Sequence, residues 1–210
     1  GDWSSDVCSS DLTTQPTISP VKTMSKLKAA LLTIFVLTLL LHLPANAEDR
    51  ALQVVTSFSV LEDLVIELGG DHVSVVNLVG RNSDAHMYRP VPSDSVSIQR
   101  ADLVVYNGLG FEGWIARLIE DSGTRKQQLA ASTGVNVINN DGELDPHAWQ
   151  SFSNIRLYVQ NISGMLIKLM PEHTQDLKRR EKAYLDRVNE LATRLSSQIS
   201  KTPIEQRIVV

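Results

Sequence analysis

From Leu52 to Ile138 one pattern repeats: a short β-branched run, then a stretch with helical periodicity. The runs are LQVVTSF (52–58), HVSVVNLVG (72–80), ADLVVYNG (101–108) and VNVI (135–138). Short, continuously apolar segments of this kind suit strands buried on both faces. Between the first two, Val60, Leu61, Leu64, Val65 and Leu68 recur at helical spacing behind an S-x-x-E capping pattern, Ser59 with Glu62, and stop at Gly69-Gly70. Residues 93–100 predict a short helix with Ser93 at its N-cap and Asp94 in its first turn. Residues 113–122 put Trp114, Ile115, Leu118 and Ile119 on one side before Gly123. Parallel neighbours need a crossover, so the alternation predicts an α/β fold, a parallel sheet flanked by helices. Ligands of such sheets collect outside the carboxyl ends of the strands.

Two longer helices follow. Ile155, Tyr158, Val159, Ile162, Met165, Leu166 and Leu169 mark the inward side of a helix over 153–170, which Pro171 breaks. A second spans 172–200, roughly 40 Å at 1.5 Å per residue. QRIVV (206–210) has the composition of a strand entering another sheet. The expected organisation is one α/β lobe over 48–171, a long helix over 172–202, and the opening strand of something further over 203–210.

Ahead of the lobe, Met24, Lys26 and Lys28 precede an apolar run from Ala29 to Leu43 and then ANA at 45–47, the pattern of a cleavable secretory signal over 24–47. The run is shorter than the roughly 20 apolar residues that span a bilayer. Residues 1–23 are Ser/Thr-rich and resemble read-through of a sequencing adapter, so they are set aside as a non-native prefix. Cys8, the only cysteine, goes with them. The rest then offers no disulfide, no thiolate metal site and no lipid-anchoring cysteine, and a soluble periplasmic protein is expected. The net charge is −4. Lys178, Arg179, Arg180 and Lys182 alternate with Glu181, Asp186 and Glu190, which reads as a solvated helix face and gives nucleic-acid binding no support.

Among five histidines, His42 belongs to the signal segment, and His72 and His173 read as surface residues. His86 lies in SDAHMYRPVPSD (83–94), where Pro90 and Pro92 fix their own φ and push Arg89 and Val91 into extended backbone. His147 lies in DPHAWQSFSN (145–154), directly after Pro146. Both are expected in strand-exit loops of one sheet. Neutral imidazoles on separate rigid loops are good ligands for Zn²⁺, Mn²⁺ or Fe²⁺, although spacing alone does not distinguish them from two unrelated surface residues. Asp84, Glu143 and Asp145 flank them as orienting carboxylates. Gly108, Gly110 and Gly113 spell G-x-G-x-x-G between a strand and a helix. No carboxylate falls within 127–137 to hold a ribose, and Phe111 and Glu112 put bulk and negative charge where a pyrophosphate would approach. A tight strand-to-helix turn is the better reading. Trp114 and Trp149 read as packing anchors, and the glycosylation pattern at Asn161-Ile162-Ser163 falls inside a helix.

SDAHMYRPVPSD, ADLVVYNGLGFEGW and DPHAWQSFSNI, in this order, resemble the metal-binding solute receptors of bacterial ABC importers, the zinc and manganese/iron group, over about residues 52–210. The resemblance implies two α/β lobes joined by one long helix, with the ion between them. It implies that His86 and His147 are the metal ligands of the N-terminal lobe, that 172–202 is the connecting helix, and that the C-terminal lobe with its two ligands is missing beyond Val210. It further implies a monomer that carries a divalent transition metal (Zn²⁺ or Mn²⁺/Fe²⁺) as cargo to a membrane permease, without bond chemistry. NNDGEL (139–144) departs from the histidine-rich loop of many zinc-specific members. The alternatives are an exported metal-dependent hydrolase, which H-E-x-x-H and G-x-S-x-G motifs do not support here, and a surface adhesion protein of the same fold, which the missing anchoring cysteine argues against.

Overall fold

A computed structural model of the chain describes residues 50–207 together with Lys28, Leu31, Leu32, Thr33 and Phe35. The chain divides into two units, Gly1–Asp49 and Arg50–Val210. In the first, the five described residues are helical and exposed, and the rest of the segment expected to be an export signal lies outside the described residues. No helix among the described residues is long and apolar enough to cross a membrane.

The second unit is built on a four-stranded parallel sheet. Its strands are β1 (Leu52–Phe58), β2 (Val73–Val79), β3 (Leu103–Tyr106) and β4 (Gln127–Ala130), in the order β2-β1-β3-β4. Helix α1 (Ser59–Gly69) joins β1 to β2, α2 (Pro92–Arg100) leads into β3, and α3 (Ile115–Ser122) leads into β4. A two-residue hairpin, β5 (Asn139–Asn140) with β6 (Glu143–Leu144), precedes α4 (Phe152–Leu169) and the 27-residue α5 (Thr174–Ser200).

Strand periodicity sorts the core onto two faces. Val54, Phe58, Val79, Leu103 and Val105 turn toward α1, α4 and the start of α5, where they meet Leu61, Leu64, Val65, Tyr158, Ile162, Leu166 and Leu177. Val55, Leu78 and Val104 turn the other way, onto Ile98, Ile115, Leu118 and Ile119 of α2 and α3. Burial of each such side chain contributes about 1.5–3 kcal/mol. With both faces of the central strands β1 and β3 covered, these two carry the consecutive buried residues seen in the sequence.

Several local expectations need correction. Residues 135–138 are not a strand, and the fourth strand is β4, which the polar QQLA did not announce because it is an edge strand with exposed glutamines. The capping pattern at Ser59 is not used: Phe58 is the N-cap residue, without a side-chain cap bond, and Glu62 accepts from Asn77 Nδ2 at 3.3 Å. Helix α2 starts one residue early, with Pro92 in its first turn and Val91 at the N-cap, whose N–H is accepted by Asp94 Oδ2 at 2.8 Å. Proline at that position loses no helical bond, which is why the helix takes it in.

His72 and His173 are not simply exposed. Their rings stack at 3.9 Å and 18°, and His72 Nε2 lies 3.2 Å from Asp176 Oδ2, tying the end of α1 to the start of α5. Hydrogen bonds from Arg180, then Arg179, hold the Asp176 carboxyl well below the usual range. Residue Gln206 closes a 3-10 turn (Ile204–Gln206), and residues 208–210 of the expected further strand lie outside the described residues.

Candidate metal site

The order β2-β1-β3-β4 reverses direction beside β1, and crevices form where neighbouring connections part to opposite faces. His86 lies in the loop from β2 to α2, on that carboxyl-end rim. His147 does not exit a strand of this sheet, contrary to expectation. It follows the β5–β6 hairpin, which turns on Asp141 and Gly142, both at positive φ, and leads the chain back over the rim. The sheet therefore supplies one histidine directly and the hairpin supplies the other.

The rings meet. His86 Nε2 and His147 Nε2 are 3.1 Å apart, with ring centroids at 5.2 Å. Two nitrogens that each sit about 2.0–2.1 Å from one ion would be roughly 2.9 Å apart at a right angle and roughly 3.3 Å apart at the tetrahedral angle. The observed spacing lies between, so the pair matches the bite of a single divalent cation under either geometry. His147 Nδ1 is 2.8 Å from Asp145 Oδ1. A carboxylate at that distance favours the tautomer with its proton on Nδ1, which turns the Nε2 lone pair of His147 toward His86. Hydrogen bonds from the His147 backbone N–H and then its ring hold the Asp145 carboxyl below its ordinary range.

Asp84 acts on backbone instead: Oδ1 accepts the His86 N–H at 2.9 Å. Glu143 is exposed on β6. Of the three flanking carboxylates, Asp145 is the one that meets an imidazole among the described residues. Among the described residues, no group of three or more His, Cys, Asp or Glu side chains is placed to hold an ion together. The donors brought together at this rim, among the described residues, are the two imidazole nitrogens.

The stiffness of the His86 loop has visible causes. The Asp94 carboxylate accepts from Val91 N at 2.8 Å and from Tyr88 Oη at 2.9 Å, closing the loop against the helix it precedes. Burial first, and then Asp94, pushes the Tyr88 phenol up to about 12. The Tyr88 ring packs on Trp114 at 5.0 Å, and Trp114 Nε1 donates to the Ala85 carbonyl at 2.8 Å. Phe111 fills the space behind the pair, with ring centroids 4.4 Å from His86 and 5.6 Å from His147. Trp149 stands against both Phe111 and His147, at 4.8 and 5.4 Å. The two tryptophans are packing anchors, as their sequence positions suggest, and Trp114 also holds a backbone carbonyl beside His86.

Residues 54–210 match the family described as "Zinc-uptake complex component A periplasmic". The chain belongs to that family. Among its relatives, the manganese-binding lipoprotein MntA of Halalkalibacterium halodurans is 32% identical over 166 residues, covering 79% of this chain and 55% of the relative. The iron-binding protein YfeA of Yersinia pestis is 31% identical over 193 residues, covering 87% and 62%. The Mn-bound periplasmic metal binding protein of Candidatus Liberibacter asiaticus superposes with a TM-score of 0.69 at 29% identity, over 74% of this chain and 60% of that one. The Zn(II)-bound ZnuA-like domain of Streptococcus pneumoniae AdcA gives 0.62 at 26% identity, over 68% and 53%. The chain thus spans a little over half the length of the curated relatives it matches, and the lobe and long helix described above are the zinc-uptake family's fold. Several relatives are named as lipoproteins, so the expectation of an unanchored protein finds no support among them.

Proposed function

We propose that this chain is part of the substrate-binding component of a transition-metal ABC importer, acting outside the cytoplasmic membrane. In this reading His86 and His147 take a divalent ion, zinc or manganese/iron, as cargo. The ion then passes to a membrane permease, and no bond is made or broken. The observation that carries the reading is the 3.1 Å approach of two imidazole Nε2 atoms, with the far nitrogen of one engaged by Asp145. The names of the relatives, manganese-binding, iron-binding and Zn(II)-bound, support the class of ion and leave open which one is carried.

The organisation that follows has residues 24–47 as the export signal, 48–171 as the metal-binding lobe and 172–202 as the helix that leads to a second lobe. Two protein ligands leave most of the coordination sphere to water, whereas closed zinc sites use four. Weak binding by this chain is therefore expected. The test is calorimetric titration of Zn²⁺ and Mn²⁺ into the 210-residue chain and into its His86→Ala/His147→Ala variant. A saturable site that disappears in the variant is the expected result, and equal affinities in the two proteins would remove both histidines from the site.

A further inference from the structure

The turn that resembles a nucleotide-binding loop, residues 107–114, touches both histidine loops, and its polar groups are spent inside the protein. Asn107 is fully buried at the end of β3. Its Nδ2 donates to the Pro146 carbonyl at 2.9 Å and to the Gly108 carbonyl at 3.0 Å, while its Oδ1 accepts the Tyr158 hydroxyl at 2.6 Å. Pro146 is the residue before His147. At the other end of the turn, Trp114 Nε1 holds the carbonyl of Ala85, the residue before His86. Phe111, between them, backs both rings.

The turn is itself fixed from within. Gly108, Leu109 and Gly110 follow one another at φ 87, 56 and 77. A leucine at positive φ costs roughly 1–2 kcal/mol, which other contacts must offset. The Glu112 side chain, 4% exposed, does so by gathering the donors of the turn: Asn107 N at 2.7 Å, Gly108 N at 3.2 Å and Ser57 Oγ at 2.5 Å. One carboxyl group therefore locks the turn to β1, and the turn holds one backbone carbonyl beside each histidine.

We propose that Asn107 and Trp114 are positioning residues for the metal ligands, Asn107 for His147 and Trp114 for His86, and that Glu112 fixes the distance between these two arms. This rests on the metal-binding reading above. None of the three touches the ion. They set the separation of the two imidazoles through the peptide groups at Pro146 and Ala85, so that the ion meets a pair already spaced for it and less ordering is left to binding.

The test uses Asn107→Asp, nearly isosteric, which keeps an acceptor for Tyr158 but turns a carboxylate toward the Pro146 carbonyl. Trp114→Phe keeps an aromatic ring against Tyr88 while removing the N–H to Ala85 together with part of the indole, so the second arm can be tested whether or not Asn107→Asp folds. Each Zn²⁺-loaded chain is read by calorimetry and by zinc K-edge absorption, which counts imidazoles around the metal. Wild type should show two imidazoles per zinc. Each variant should retain near-ultraviolet dichroism, bind Zn²⁺ about 10- to 100-fold more weakly, and show a count falling toward one. A folded variant with two imidazoles and wild-type affinity overturns the positioning role while leaving the metal-binding reading intact. No imidazole in the wild type, or full affinity in His86→Ala/His147→Ala, overturns that reading and this inference with it.

Discussion

Replacing Glu112 by Gln tests the keystone of the rim through its pH dependence. A glutamine amide accepts through one oxygen only. Turned either way, it leaves the N–H of Asn107 or of Gly108 facing its NH₂ group, in a pocket where Asn107 is fully buried and Glu112 nearly so. An unpaired buried donor costs about 1–3 kcal/mol, or about 3–9 °C in melting temperature for a folded unit of this size. Burial pushes the Glu112 carboxyl above its ordinary value, against the opposing hydrogen bonds from Ser57, Asn107 and Gly108. With the native value raised, the stability contributed by the protonated group is complete below the unfolded value of about 4.3 and is lost as pH rises through the native one. Glutamine carries no such proton. The stability gap between wild type and Glu112→Gln should therefore be widest near pH 4 and narrow toward pH 7. Urea unfolding followed by tryptophan fluorescence at intervals across that range measures it, with an unchanged m-value as the check that the same transition is compared. A gap that widens with pH would mean that the donors outweigh burial, and the account of this carboxyl would be wrong.

Other expectations are more direct. Asp145→Asn should weaken Zn²⁺ binding by about 10- to 100-fold, because the ring nitrogen of His147 loses its charged acceptor; calorimetry reads the affinity, and thermal unfolding of the metal-free chain should be little changed. Ile162→Ala, at a fully buried position where α4 meets the sheet, should cost about 2–5 kcal/mol, measured by urea midpoint. A carbon-detected titration should find the Asp176 carboxyl still ionised below the ordinary aspartate midpoint of about 3.9, since Arg180 and Arg179 hold it low. Its contribution, present above the unfolded value, should be lost only in stronger acid.

The buried parts of the fold are legible because burial leaves a compositional record. Strands β1 and β3 carry consecutive buried residues since helices cover both faces, β2 keeps enough β-branched residues to read as a strand although part of one face is exposed, and α4 shows its inward side at regular spacing. Strand β4 leaves no such record. It pairs with one neighbour, exposes Gln127 and Gln128, and is held by backbone bonds that any sequence can make. Tertiary contact likewise overrides the capping signal at Ser59, because the chain enters α1 directly from β1 and Glu62 is drawn to Asn77. At the site, the stiffness of the His86 loop could be read from proline positions, whereas the two histidines are singled out only by the resemblance of their loops to a known family. The bonds of Asn107 to Pro146, of Glu112 to Ser57 and of Tyr158 to Asn107 could not be read at all, because they run across 39, 55 and 51 residues and no local pattern encodes such pairings. The stacking of His72 on His173 was hidden for the same reason.

The glycine pattern at 108–113 shows how one local geometry serves two chemistries. In nucleotide-binding loops, glycines let backbone N–H groups converge on a phosphate. Here Gly108 and Gly110 allow a comparable convergence, but the acceptor is supplied by the chain: the Glu112 carboxyl takes the N–H groups of Asn107 and Gly108. The turn is occupied by its own carboxyl group. With those donors satisfied, what it presents outward is the Phe111 ring against two imidazoles. A loop whose backbone would otherwise recognise an anion thus serves as a rigid spacer behind two imidazoles, because its N–H groups already have their acceptor within the chain.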